Sequence, residues 1–235
     1  MPQLPRAPLS PLVAGEQVLP RELGGYLVRV LRLRAGDAFV LFDPESGTEA
    51  DAELTRDIPA CARVAEARQA PRTSLRDVTL LQGLAKGDKP EQVVRAAVAL
   101  GARSVVFLRT ERSIAHSELR QERLRAVMLD TARQCGRADL PELGGLHELG
   151  EGVRRASGVR YLLDPNAERS LLEALRALPA ADGLSLAVGP EGGFTTAEHA
   201  LLLEAGFEPV RLSAFVLRTE LAAVAALAVV AAHDA

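Results

Sequence analysis

Two short segments hold the residue types most able to do chemistry. The first is Gly189-Pro-Glu-Gly-Gly-Phe194, directly after the apolar run Leu184–Val188. Its glycines let the backbone approach a ligand and take positive φ. Pro190 stiffens the turn, and Glu191 is the charged group in a loop nearly free of side chains. The loop is neither a Walker loop nor GxGxxG, and no acid follows about 20 residues on at a strand end to hold a ribose, so kinase and classical dinucleotide readings lose ground. The second segment is Val210-Arg-Leu-Ser-Ala-Phe-Val-Leu-Arg-Thr-Glu220. It is an apolar loop carrying Arg218, followed by a helix that Thr219 is expected to cap with Glu220 in its first turn. Such a loop could wall an adenine while backbone groups read its edge. Glu191, Glu220 and Asp88 are the carboxylates available to take a proton, and Arg218 is the cation available to steady an anion. Each carboxylate has a structural alternative: Glu220 is favoured by the helix dipole, Asp88 reads as an N-cap with Glu91 at the capping-box position, and Glu191 could simply hold its loop.

The other reactive residues point nowhere in particular. His199 lies inside a helix beside Glu198 and reads as solvated, as does His116 just before a helix start; His147 is a further histidine of this half to weigh. No Ser/His/Asp arrangement is evident. Cys61 and Cys135 are far apart, without a CxxC or Cys/His cluster, so neither a disulfide framework nor a zinc site is indicated. No metal is expected.

The elements that must position the two loops follow from periodicity. After a break at Gln69–Ser74 strands and helices alternate: a strand at Val78–Leu81, a helix after Asp88 ended by Gly101, a strand at Ser104–Leu108, a helix from Ser117 to about Cys135, a strand at Tyr161–Leu163, a helix at Glu168–Leu178, a strand at Leu184–Val188, a helix capped by Thr195 with Glu198 and closed by Gly206, a strand at Pro209–Leu212, and a last helix at Thr219–Ala232. This alternation implies a mostly parallel sheet covered by helices, and both chemical loops leave carboxyl ends of its strands, where ligands bind. Before the break, residues 1–20 are Pro-rich and read as an extended arm. Leu27–Leu33, Ala38–Phe42, Glu49–Arg56 and Ala62–Gln69 read as short strands of a small β-barrel or sandwich. In that reading Arg32 and Arg34 share one strand face.

Composition sets limits. Hydrophobic residues at 48% and charged residues at 25% describe a chain able to bury a core, not a disordered one. Aromatics at 3% leave little for base stacking. The net charge is −3, yet residues 103–137 hold eight arginines against four acids, a possible phosphate-facing patch or else a solvated helix face. Only Lys86 and Lys89 are lysines, and they stand in one tetrapeptide. The N-terminus lacks a signal-peptide pattern. The longest apolar run, Leu221–Ala232, falls short of the about 20 residues a membrane span needs. A cytoplasmic chain without a membrane partner is therefore expected. The nearly apolar last helix belongs in the core or a dimer interface.

Taken in order, these motifs resemble a known family. Gly189–Phe194 followed by Leu217-Arg-Thr-Glu220, Leu84-Ala-Lys-Gly-Asp-Lys89, Thr110-Glu-Arg-Ser113, Ala132-Arg-Gln-Cys-Gly-Arg137 with Leu140-Pro141, and Val30-Leu-Arg-Leu-Arg-Ala-Gly-Asp37 are together similar to the ribosomal RNA small subunit methyltransferase E family of the SPOUT superfamily, over nearly the whole chain. The chain departs from the family's pattern at Ser213, Phe215-Val216, Leu221 and Arg133, and Phe215 could reshape the wall beside the cofactor's methionine moiety. The resemblance implies an α/β fold: a C-terminal SPOUT-type trefoil-knotted parallel-sheet domain at 73–235 after a small N-terminal PUA-like β-barrel at 1–72 that binds RNA. It implies methylation of N3 of a uridine in 16S ribosomal RNA of the small subunit, with S-adenosylmethionine as cofactor, by a homodimer. The implied cofactor residues are Leu163, Gly189, Pro190, Glu191, Gly192, Gly193, Leu212, Ser213, Val216, Leu217 and Thr219. The catalytic candidates remain Arg218, Glu191 and Glu220, and the expected RNA contacts are Arg29, Arg32, Lys86, Lys89, Arg112 and Arg137. Two alternatives stay open: an inactive RNA-binding or ribosome-assembly factor of this fold, and a SPOUT methyltransferase acting on another nucleotide.

Overall fold

The computed structural model describes residues 4–71, 76–113, 119–179 and 183–234. Its contacts divide the chain into two units, one of residues up to Pro71 with Leu129–Leu140, the other of the remainder.

In the first unit β3 (Ala38–Asp43), β4 (Thr48–Asp57) and β5 (Ala60–Val64) form an antiparallel meander. The Pro-rich start is not a free arm. It supplies β1 (Arg6–Pro8), parallel to β3, and β2 (Gly15–Val18), antiparallel to β5, giving the order β1-β3-β4-β5-β2 with β6 (Arg68–Gln69) on β4. The expected strand at Leu27–Leu33 is also corrected. Helix α1 (Arg21–Gly25) runs on into a π-turn at Tyr26–Val30. Leu23, Leu27 and Leu31 are four residues apart, a helical spacing that puts them against Leu19, Phe39 and Leu54 in one core cluster. Arg32 takes φ 60° just beyond, so Arg32 and Arg34 do not share a strand face.

The second unit carries an all-parallel six-stranded sheet in the order β12-β10-β11-β7-β8-β9. The strands are β7 (Val78–Gly83), β8 (Ser104–Arg109), β9 (Glu142–Glu148), β10 (Val159–Leu163), β11 (Leu184–Val188) and β12 (Glu208–Val210). β7 and β11 are wholly buried, as expected for continuous apolar runs between helix layers. The helices are α2 (Lys89–Ala99), α3 (Gln121–Cys135, of which Leu129 onward is counted with the first unit), α4 (Leu149–Val153), α5 (Leu171–Arg176), α6 (Thr196–Glu204) and α7 (Thr219–His233). β9 and α4 are elements that the sequence pattern did not announce. Ser117 and His116, at the expected start of α3, lie outside the described residues.

Local chemistry explains the helix starts. Thr195 and Ser170 form complete capping boxes with Glu198 and Glu173. The Ser170 box begins α5 at Leu171 rather than at the expected Glu168. Asp88 stands at the N-cap of α2 but makes no capping bond. Its carboxylate accepts from the Gln92 side chain instead, and Glu91 pairs with Arg123. Thr219 is the first residue of α7 rather than its cap, which frees its hydroxyl for the site described next. One face of α7, including Ala223, Ala226, Leu227 and Val230, is buried, while Leu221 is exposed. At the other end of this helix, Arg76 and Asp234 form a buried ion pair at 3.1 Å.

Candidate active site

Because the strands are parallel, the loops after β7, β8, β10, β11 and β12 all leave one edge of the sheet. A cleft of about 530 Å³ opens there, within the size range of small-molecule sites. Leu163 at the end of β10, the loop Gly189–Gly193, and Leu212, Ser213, Val216, Leu217, Arg218 and Thr219 before and at the start of α7 line it together. These residues are up to 56 positions apart in sequence and meet because β10, β11 and β12 are neighbours.

Glycine is required here for two different reasons. A Cβ on Gly83, at the end of β7, would lie 2.4 Å from the Pro190 nitrogen, so only glycine lets the loop pack on the strand end. Gly193 takes φ 67° with open space where a Cβ would stand. There the demand is conformational, and the backbone faces room for a ligand. Two side chains pin the loop from outside: Arg112 donates to the Gly192 carbonyl at 2.7 Å, and the Thr219 hydroxyl donates to the Gly189 carbonyl at 2.5 Å. Thr219 in turn accepts from Gln82 Nε2 at 2.7 Å, which ties the end of β7 to the start of α7. Gln82 is fully buried and its Oε1 has no partner.

The expected catalytic groups are separated by the fold. Arg218 and Glu191 are both exposed, and both line the cleft. Glu220 is not among the lining residues; its side chain is buried, and Oε2 lies 3.7 Å from Lys89 Nζ. Lys89 also hydrogen-bonds Glu191 Oε1 at 2.7 Å, and that oxygen accepts the Lys86 amide at 3.1 Å. Burial pushes the Glu191 carboxyl up, but the hydrogen bonds from Lys89 and from the Glu191 and Lys86 amides outweigh it and hold the group below the usual range. The Lys89 ammonium is pushed up, first by its hydrogen bond to Glu191.

The basic residues expected to meet RNA fare differently. Arg29, Arg32, Lys86 and Arg112 are exposed, whereas Lys89 is half-buried between carboxylates. Arg137 is a correction: it is 3% exposed, and its guanidinium grips Asp139 at 2.8 Å, so it is turned away from any phosphate at the surface.

The sequence reading missed part of the cleft. Asp164, Pro165 and Asn166 after β10 line it, as does His199, whose Nε2 is 3.1 Å from Asp164 Oδ2. His199 is therefore a wall residue and not a freely solvated one. An Asp-Pro-Asn turn at the carboxyl end of a parallel strand was the available signal. Phe194 and the exposed Phe215 complete the rim. Among the described residues no group of three or more His, Cys, Asp or Glu could hold a metal ion, and no helix is long and apolar enough to cross a membrane.

A glycine-lined cleft on the carboxyl edge of a parallel sheet defines the class, and comparison with known proteins agrees. Residues 71–231 match the RNA methyltransferase domain family, and residues 19–58 match the RNA methyltransferase PUA domain. The chain is 33% identical over 210 residues to ribosomal RNA small subunit methyltransferase E of Synechocystis sp., covering 86% of this chain and 68% of the relative. It is 26% identical to the Bacillus subtilis protein of the same name, covering 93% and 88%. Among solved structures, ribosomal RNA small subunit methyltransferase E of Neisseria gonorrhoeae bound to S-adenosyl methionine superposes with a TM-score of 0.84 at 27% identity, covering 96% of each chain. A Legionella pneumophila chain described as a methyltransferase with bound cofactor SAM gives 0.85 at 29% identity, covering 98% of each. The chain belongs to the ribosomal RNA small subunit methyltransferase E family.

Proposed function

We propose that this protein transfers a methyl group from S-adenosylmethionine to N3 of a uridine in the 16S ribosomal RNA of the small subunit. The observation that carries the reading is the cleft itself. The segments after β10, β11 and β12 converge on it, in a chain whose relatives carry that name and whose structural neighbours hold that cofactor. The lining fits the cofactor: Leu162, Leu163, Val188, Leu212 and Leu217 supply apolar wall for an adenine, the Gly189–Gly193 backbone supplies amides and carbonyls, and Asp164, Glu191 and Arg112 supply charge for its amino-acid end.

The cofactor, when bound, supplies an electrophilic methyl on a sulfonium. The residues of this chain do the rest. The loop pinned by Arg112, Thr219 and Lys89 holds one reactant in line with the acceptor nitrogen, and such positioning supplies much of the acceleration. Uridine N3 must lose a proton. Arg218, exposed at the rim, steadies the developing anion through a uracil oxygen. Glu191, kept ionised at the wall, is the carboxylate this reading assigns to accept the proton. Glu220, behind the wall, acts through Lys89.

Residues 1–72 serve in this reading as a PUA-like β-barrel that docks RNA through Arg29 and Arg32, and residues 73–235 as the knotted catalytic domain. The bonds of Thr219 to both Gly189 and Gln82 support a trefoil path in which the start of α7 passes between the ends of β11 and β7. The exposed apolar side chains of Phe215, Val216 and Leu221 support a homodimer that covers them. Action on the small subunit places the protein in the cytoplasm. The test is to incubate the purified protein with small subunits or 16S rRNA and S-adenosylmethionine, then digest the RNA and analyse its nucleosides by mass spectrometry. We expect 3-methyluridine. Methylation of another nucleoside, or none, overturns the assignment.

A further inference from the structure

Lys89 is one of only two lysines in the chain, and the resemblance offered it as an RNA contact. Its ammonium is instead held 2.7 Å from Glu191 and 3.7 Å from Glu220. These carboxylates belong to different segments, the loop after β11 and the first turn of α7, and Lys89 reaches them from a third, the first turn of α2. We propose that Lys89 is a positioning residue for the methyl-transfer site: braced by Glu220 from behind, it fixes Glu191 at the cleft wall and so joins the cofactor loop to the start of α7.

Three observations carry this. Glu220 is buried and its Oε2 has no hydrogen-bond partner, so a charge there is tolerated only beside an opposite one. Lys89 is the cation in reach. The three groups sum to one negative charge, and Glu191, the member that lines the cleft, takes the shorter bond from Lys89. Glu191 is also held by the Lys86 amide, while Arg112, from the loop after β8, holds the next residue. Arg218, at the N-cap of α7, repels the Lys89 ammonium, and attraction to the two carboxylates outweighs that repulsion. The charged groups around Glu191 are thus Lys89, Glu220 and Arg218.

The inference rests on the proposed function, and its test separates the two. Cofactor affinity is measured by calorimetry, and the Glu191 carboxyl is titrated by 13C NMR, in the wild type, Lys89→Met, Lys89→Arg and Glu220→Gln. Lys89→Met should weaken S-adenosylmethionine binding roughly 2- to 150-fold, the span of coupling between contacting groups, and move the Glu191 titration upward. Lys89→Arg, which keeps the charge, should recover most of both. Glu220→Gln, which leaves the cleft lining intact, should shift both readouts in the direction of Lys89→Met by less, and it decides the matter if Lys89→Met does not fold. A wild type that binds cofactor while Lys89→Met or Glu220→Gln binds as well, with the Glu191 titration unmoved, overturns this inference alone. A folded wild type that binds none overturns it together with the methyltransferase reading.

Discussion

Replacing Thr219 with valine removes one oxygen and little volume. Its hydroxyl donates to the Gly189 carbonyl at 2.5 Å and accepts from Gln82 Nε2 at 2.7 Å, and the residue is 5% exposed. Valine can do neither, and water has little access to take over. Gln82 retains its bond to the Gly83 carbonyl, so its amide nitrogen is not orphaned. The loss is two hydrogen bonds at about 1 kcal/mol each, or about 2 kcal/mol in all. For a chain of this size that lowers Tm by roughly 4–8 °C. Because Gly189 begins the cleft loop that we propose holds the cofactor, affinity for S-adenosylmethionine should fall as well. Thr219→Ser, which keeps the oxygen and removes one buried methyl, should cost only about 0.8 kcal/mol, less than the valine variant, if the bonds are what matter. Thermal and urea unfolding followed by circular dichroism, with calorimetric titration of the cofactor, measure all of this. A valine variant as stable and as tight-binding as wild type would refute the view that this hydroxyl fastens the loop to α7.

Further outcomes follow from other contacts. Gly83→Ala sets a Cβ 2.4 Å from the Pro190 nitrogen, and overpacking of about 1–3 kcal/mol should displace the loop; unchanged cofactor affinity would contradict that. Arg218→Ala should lower turnover about 10²–10³-fold, the usual effect of losing an anion-stabilising donor, with cofactor affinity little altered, and single-turnover methylation assays would show it. Arg76→Met leaves Asp234 charged and buried without its guanidinium, at a cost of about 3–5 kcal/mol read as a fall in the urea midpoint. Burial pushes the Asp234 carboxyl up, but hydrogen bonds from Arg76 and His233 outweigh it and hold the group below its usual value. Its contribution is therefore present above that usual value and lost as pH falls through the lowered one. The stability gap between wild type and Asp234→Asn should hold above about pH 5 and close below about pH 4; a gap that persists in acid would contradict the assignment.

The sequence was most legible where local and tertiary preferences agree. Leu184–Val188 is buried on both faces, Thr195 and Glu198 complete a capping box, and Gly206 takes the positive φ that ends α6, so each boundary there follows from its own residues. The glycine-rich loop that lines the cleft was legible for the same reason. Where pairing is distant the signal faded. β1 and β2 are three and four residues long and owe their existence to partners more than 30 positions away. The Leu/Arg alternation at 27–33 imitates a strand, although the four-residue leucine spacing inside it is what the core uses. β9 carries Gly144 and Gly145 in place of alternating apolar residues. A Cβ at Gly144 would meet Val106 at 2.9 Å, a constraint set by the neighbouring strand and invisible in the segment itself. His199 looked solvated because its partner Asp164 is 35 residues away. The roles of Glu191 and Glu220 could not be separated in advance, because Lys89 reaches them from a helix more than 100 positions earlier.

The central claim is that S-adenosylmethionine occupies the cleft formed by the loops after β10, β11 and β12. Calorimetric titration of the wild type and of Gly193→Arg tests it most directly, since Gly193 sits at φ 67° beside open space that an arginine side chain would enter. The account predicts one-to-one binding per chain in the wild type and its loss in a variant that is still folded by circular dichroism. Equal binding by both proteins, or none by the folded wild type, would contradict it.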